Sequence, residues 1–147
     1  MVEAGATPGT PARADANARL VSAYLEAWSR MDIAAGSSFY ADDVVVHVAG
    51  RHPLAGTYAG KDAFDAGYTQ KATALTGGNW GVVDVEDILT SADRAVALVT
   101  KRFEREGRDP FETYVISIYK IQDDKIVKMW LYDHDPYAVD DYFRDAG

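Results

Sequence analysis

Residues 94–132 read RAVALVTKRFEREGRDPFETYVISIYKIQDDKIVKMWLY, and this stretch decides the fold. Three runs rich in Val, Ile, Tyr and Phe, namely Arg94 to Arg105, Phe111 to Ile121 and Lys125 to Tyr132, are separated by two turn sequences, Glu106-Gly107-Arg108-Asp109-Pro110 and Gln122-Asp123-Asp124. β-Branched and aromatic residues bounded by Gly, Pro and Asp are strand signals. Connections this short join neighbouring antiparallel strands. A further strand, Trp80 to Leu89, precedes them across Ser91-Ala92-Asp93. The four runs predict an antiparallel meander.

Upstream the pattern is helical. Leu20, Tyr24, Leu25 and Trp28 fall on one apolar stripe that begins after Asp15, as an amphipathic helix requires. Asp15 or Asn17 is placed to cap its start. The stripe breaks at Met31-Asp32, where Asp32 caps a shorter helix reaching Phe39-Tyr40. Val44-Val45-Val46-His47-Val48 reads as a strand, and Ala49 to Gly60, with three Gly and one Pro, as a loop or tight hairpin. Lys61 to Leu75 reads as a third helix, weakened by Gly67 and ended by Thr76-Gly77-Gly78. Pro136 opens a last helical turn through Tyr137 to Phe143. Residues 1 to about 14 read as a disordered leader and residues 15–147 as a single domain. Helices first and long antiparallel strands after them give an α+β fold. A curved sheet covered on one face leaves a concavity in which a small ligand can sit.

The chain has 147 residues, no cysteine and a formal net charge of −8. Disulfides, thiolate zinc sites and cysteine nucleophiles are thereby excluded. The negative balance argues against a nucleic-acid partner, because phosphate recognition needs clustered Lys and Arg. The aliphatic run Val44-Val45-Val46 is far too short to span a bilayer. Met1 to Pro11 has no apolar core of a secretory signal. A cytoplasmic protein is the expectation. No phosphate loop, dinucleotide fingerprint or nucleophile elbow is present, so no cofactor is expected.

Three segments carry a resemblance: Tyr24-Leu25-Glu26-Ala27-Trp28, Phe39-Tyr40-Ala41-Asp42-Asp43-Val44 and the run from His47 to Asp62. With the ending Asp124 to Trp130, the chain resembles NTF2-like proteins over about residues 15 to 143, and the SnoaL-like branch in particular. The resemblance implies a cone, a curved and mostly antiparallel sheet wrapped around three N-terminal helices, with an internal pocket. The ketosteroid isomerases of that group use a tyrosine, a carboxylate base and a protonated aspartic acid. Tyr24 matches the tyrosine, but Val48 and Ser117 stand at the two acid positions. Steroid isomerisation is therefore not expected. SnoaL-like cyclases resemble this chain better, because they need one acid/base residue on the last strand, and Asp133 fits that position.

Strand alternation sets Val127, Met129, Leu131 and Asp133 on one face, apolar until its end, and that face is expected to line the pocket. Asp133 there is suited to general acid or base work. His47 is the second candidate for proton transfer. Strict alternation puts it opposite Val46 and Val48, whereas a bulge before the Gly-rich loop swings it inward. Tyr24 would orient or polarise a carbonyl oxygen. Trp28, Val48, Ser117, Tyr119, Met129 and Leu131 are expected to contact the substrate. Asp133-His134-Asp135 splits its side chains between faces and suggests no metal site.

On the third strand of the meander, Tyr114, Ile116 and Ile118 share the face opposite Thr113, Val115, Ser117 and Tyr119. A soluble monomer rarely exposes such a patch, so a homodimer through this face is expected. Three functions fit the pattern: a cofactor-independent cyclase or isomerase acting on an apolar, carbonyl-bearing molecule such as a polyketide intermediate; a small-molecule binder with the same pocket and no chemistry; and a structural dimerisation domain. An apolar lining with Asp133 and His47 facing solvent would mark the binder. An interior too small for a ligand would mark the structural domain.

Overall fold

A computed structural model describes residues 10–145 of the chain. Helix α1 (Thr10–Ser29) and the short α2 (Ile33–Ser37) precede strand β1 (Tyr40–Val48) and strand β2 (Gly56–Ala59). A second helical stretch follows, built from α3 (Lys61–Phe64), a π turn (Asp65–Thr69) and α4 (Gln70–Thr76). The meander is β3 (Trp80–Thr90), β4 (Arg94–Phe103), β5 (Phe111–Gln122) and β6 (Lys125–Asp133), and α5 (Pro136–Tyr142) ends the fold. The six strands form one curved, unclosed sheet in the order β2-β1-β6-β5-β4-β3. All pairs are antiparallel except β1 with β6. Among the described residues no helix is long and apolar enough to cross a membrane.

The turn chemistry explains the meander. Asp123 and Asp124 have φ of +51° and +58°, the pattern of a type I′ turn, whose twist matches that of a hairpin. Aspartate tolerates that left-handed region better than most residues. At α4 the left-handed residue is Gly77, with φ +62°, and it closes the helix as expected. Gly67 does not break the second helical stretch. It sits in the π turn against the ring of Tyr58, where a Cβ would collide with the ring. Tyr58 holds that contact with its single O–H, shared between the carbonyls of Leu54, at 2.8 Å, and Gly67, at 3.2 Å.

Several expected boundaries move. Helix α1 starts at Thr10, so Thr10 to Ala14 are helical rather than leader, and the rest of the expected leader, residues 1–9, lies outside the described residues. Alternate alanines favour a helix, and Pro11 is tolerated in its first turn. Asp15 and Asn17 consequently lie inside α1 and do not cap it. Asn17 is buried and donates to the carbonyls of Ser91, at 3.0 Å, and Ala92, at 3.1 Å, tying α1 to the β3–β4 turn. Asp32 does cap α2, accepting from the Ala35 N–H at 3.1 Å. That helix stops at Ser37, because Tyr40 already pairs with Ile126 of β6.

The core lies between the inner sheet face and the helices. Tyr24 is its hub, with edge-on contacts to Trp28, Phe39, Tyr40 and Tyr119 at ring separations of 5.6–6.3 Å. Such pairs contribute about 0.5–1.5 kcal/mol each beyond area burial. Helix α5 covers the open end of the cone with Val139 and Tyr142, and Phe143 follows it into the core. Asp135 caps that helix by accepting from Ala138 at 3.1 Å.

Candidate active site

The inner face of the sheet is apolar along most of its length, then turns polar toward the end that α5 covers. On β5, Thr113, Val115, Ser117 and Tyr119 are buried and alternate with half-buried neighbours, as read from the sequence. On β6 the alternation slips. Val127 has no partner in the ladder between Ile126 and Lys128, so Ile126, not Val127, shares the inner face with Met129 and Leu131. A bulge of one residue reverses the parity upstream of itself and leaves Met129, Leu131 and Asp133 as expected.

Two chambers lie behind this face. The deep one, lined in part by Tyr24, Trp28, Ser117, Tyr119 and Met129, offers about 30 Å³ to the centre of a water molecule. The shallow one, about 20 Å³, is lined in part by Val48, His52, Asp133, Val139 and Phe143. Tyr68, Lys101 and Leu131 line both and form the partition between them. Each chamber has room for one or two waters.

The deep chamber is a cage of neutral phenols. Tyr24 and Tyr40 share a hydrogen bond of 2.6 Å between their hydroxyls, and Tyr24 reaches Met129 Sδ at 3.5 Å. Burial pushes the pKa values of the Tyr24, Tyr40 and Tyr119 phenols well above the ordinary 10.0. They serve as hydrogen-bond donors and not as bases. Val48 and Ser117, the residues that the resemblance sets against the two ketosteroid-isomerase acids, are both buried and carry no carboxylate.

The shallow chamber holds the charged groups. Asp133 stands opposite Val115 in the ladder, and its Oδ1 accepts from the Thr113 hydroxyl at 2.7 Å. That bond engages one carboxylate oxygen and not Oδ2. Lys101, on β4 and paired with Thr113, is half-buried and donates from Nζ to the Tyr68 hydroxyl at 2.9 Å. Among the described residues Lys101 belongs to no ion pair.

His47 is not part of this site. Val44, Val46 and Val48 are buried, so strict alternation turns His47 outward. The irregularity in β1 falls between Tyr40 and Val45, upstream of the histidine, so no bulge swings it inward. Its ring stacks on Trp130 at 6.0 Å and its Nδ1 meets the Thr57 hydroxyl at 3.1 Å.

The interior histidine is His52, which sequence reasoning did not single out. Its ring walls the shallow chamber with only 7% exposure. Nδ1 accepts the Leu54 N–H at 3.2 Å, which assigns the neutral proton to Nε2. Burial pushes the imidazole below its ordinary 6.5, partly opposed by Asp133, Asp140 and the Ala49 backbone and reinforced by Lys101. With the folded value lowered, the unfolded chain binds the extra proton as pH falls below 6.5. Stability from this site is complete above that pH and declines as pH drops toward the folded value, by at most about 1.4 kcal/mol per pH unit. Urea unfolding at about pH 7.5 and about pH 5.5 is expected to show a larger loss for wild type than for His52→Gln. Equal losses would contradict it.

The sequence profile of the SnoaL-like domain family matches residues 21–129. The chain belongs to the SnoaL-like family. An uncharacterised protein of Mycobacterium tuberculosis is 29% identical to this SnoaL-like chain over 132 residues, 88% of the chain and 97% of that protein. Among solved structures, Bal32a from a soil-derived mobile gene cassette superposes with a TM-score of 0.81 at 22% identity, covering 90% of this chain and 99% of that one. An NTF2-like protein from Burkholderia xenovorans superposes with a TM-score of 0.73 at 20% identity, covering 88% and 97%. TerC, co-crystallised with polyporic acid, superposes with a TM-score of 0.76 at 16% identity, covering 88% and 99%. These likenesses make the fold of the SnoaL-like chain NTF2-like.

Proposed function

We propose that this chain is a cofactor-independent cyclase or isomerase that moves a proton on an apolar, carbonyl-bearing small molecule of the polyketide kind. The observation that carries the reading is Asp133, a carboxylate that ends the otherwise apolar inner face of β6, held by Thr113 and lining an interior chamber. The Asp133 carboxylate accepts a proton from the carbon beside a carbonyl, and the C–H electron pair becomes the enolate. Return of the proton to a different carbon isomerises the substrate. Attack of the enolate carbon on a second carbonyl of the same molecule, with protonation of that oxygen, closes a ring. TerC, co-crystallised with polyporic acid, is a precedent for an organic molecule held by a protein of this fold.

The small chambers favour a packed structural core, but the groups within them do not. Asp133 and Lys101, both half-buried, line the same chamber without an ion pair between them, and a packed structural core has no use for two opposite charges there. We assign substrate entry to the helical stretch 61–76, whose π turn places Tyr68 and Thr69 in the chamber wall. Such turns recur at functional sites, and outward movement of this stretch would enlarge both chambers, which share the wall formed by Tyr68, Lys101 and Leu131. The test is exchange of the α-protons of 2-tetralone in D2O. A rate above buffer that falls in Asp133→Asn supports the reading, and a buffer rate from wild type removes it.

The outer sheet face is proposed to join two copies of the chain. Leu89 and Tyr132 are 53% and 43% exposed there, beside half-buried Val96, Leu98, Ile116 and Ile118. Light scattering is expected to report twice the 16.1 kDa chain mass at micromolar concentration. Ile116→Glu, at the centre between Leu98 and Tyr132, is expected to halve that mass. A monomeric wild type contradicts the proposal.

A further inference from the structure

Lys101 is the feature of the interior that the proton-transfer reading leaves unused. Its neighbours on the inner row of β4 are Ala95, Ala97, Val99 and Phe103, all buried. Lys101, itself half-buried, is the one charged side chain of that row and needs a reason. Its Nζ donates to Tyr68 at 2.9 Å and lies 5.1 Å from the centre of that ring. An ammonium has three donors and a phenol has one of its own. The bond between them uses one Nζ–H and leaves two, and it leaves the Tyr68 O–H. No ion pair joins the cation to the carboxylate that lines the same chamber: β5 runs between their strands, and Asp133 accepts from Thr113 on it. The cation and the anion thus stand on strands either side of β5, free to act on different atoms of one molecule.

Resting on the proton-transfer reading, we propose that Lys101 and Tyr68 form an oxyanion site that selects enolisable ketones and acidic phenols or enols on flat apolar skeletons. As Asp133 takes the proton, the carbonyl π pair moves onto oxygen, and the two donors hold that oxygen at the junction of the chambers. When the proton returns to carbon, the pair returns to the carbonyl. Preorganised donors aimed at developing negative charge are among the largest catalytic effects.

The probe is 4-nitrophenol, whose absorbance reports its ionisation directly. Bound to wild type, it is expected to ionise at least about one pH unit below the free phenol, which is tenfold tighter binding of the anion. Lys101→Met is expected to abolish the shift and Lys101→Arg to keep it, which separates a charge effect from a folding defect. Tyr68→Phe is expected to weaken anion binding about threefold to tenfold. Asp133→Asn is expected to strengthen it, because a like charge is removed. A shift retained in Lys101→Met, an unshifted probe, or no binding overturns the proposal. In each of those cases loss of tetralone exchange in Asp133→Asn leaves the proton-transfer reading standing, whereas a shifted probe with exchange unchanged in Asp133→Asn removes that reading and keeps the anion site.

Discussion

Asp133→Asn is expected to lower α-proton exchange of 2-tetralone by roughly 10²- to 10⁴-fold, the usual contribution of one positioned general base. The substitution removes the basic oxygen and little else. Asparagine keeps the size of the side chain, and its carbonyl oxygen can still accept from the Thr113 hydroxyl that holds Asp133 at 2.7 Å. Neither its midpoint of thermal unfolding nor its circular dichroism should change much. His47→Ala, on the outer face, serves as the control and is expected to retain wild-type exchange. A wild-type rate from Asp133→Asn, or an equal loss from His47→Ala, contradicts the assignment.

The second large effect concerns stability. Phe143→Ala is expected to cost about 3–5 kcal/mol in urea unfolding, the range for truncating a buried phenylalanine. Phe143 is fully buried, with ring separations of 5.3 Å to Phe103, 5.0 Å to Tyr142 and 6.0 Å to His52. It also walls the shallow chamber. The cavity left by truncation cannot close easily, because Tyr142 is held through its hydroxyl to the Phe103 carbonyl, at 3.2 Å, and its own carbonyl accepts from Arg105, at 2.6 Å. A loss under about 1 kcal/mol would mean that the end of the cone collapses freely onto the gap.

The meander was legible because its turns carry strong local chemistry, and β-branched runs between them leave no competing helix pattern. The inner position of Asp133 was legible for the same reason, since alternation downstream of the bulge is unbroken. Val127 was misplaced because a bulge depends on how the neighbouring strands pair, which a two-residue period does not reveal. His47 turned on the same question, namely where β1 breaks register. The burial of His52 arises from α5 closing over a loop some ninety residues earlier in the chain, as the Arg51 N–H to Asp140 bond of 2.9 Å illustrates. Nothing local could announce it. Lys101 was different: a lone cation in the alternating row Ala95, Ala97, Val99, Lys101 is visible in the sequence, once that row is known to face inward.

The most direct measurement is a crystal structure of the protein soaked with 4-nitrophenol. The expected result is the phenolate oxygen within about 3 Å of both Lys101 Nζ and the Tyr68 hydroxyl, the ring crossing the partition and Asp133 facing it. Phenol bound only on the outer face, with Lys101 still bonded to Tyr68 and the two chambers still separate, would contradict the interior as the place where this chain does its chemistry.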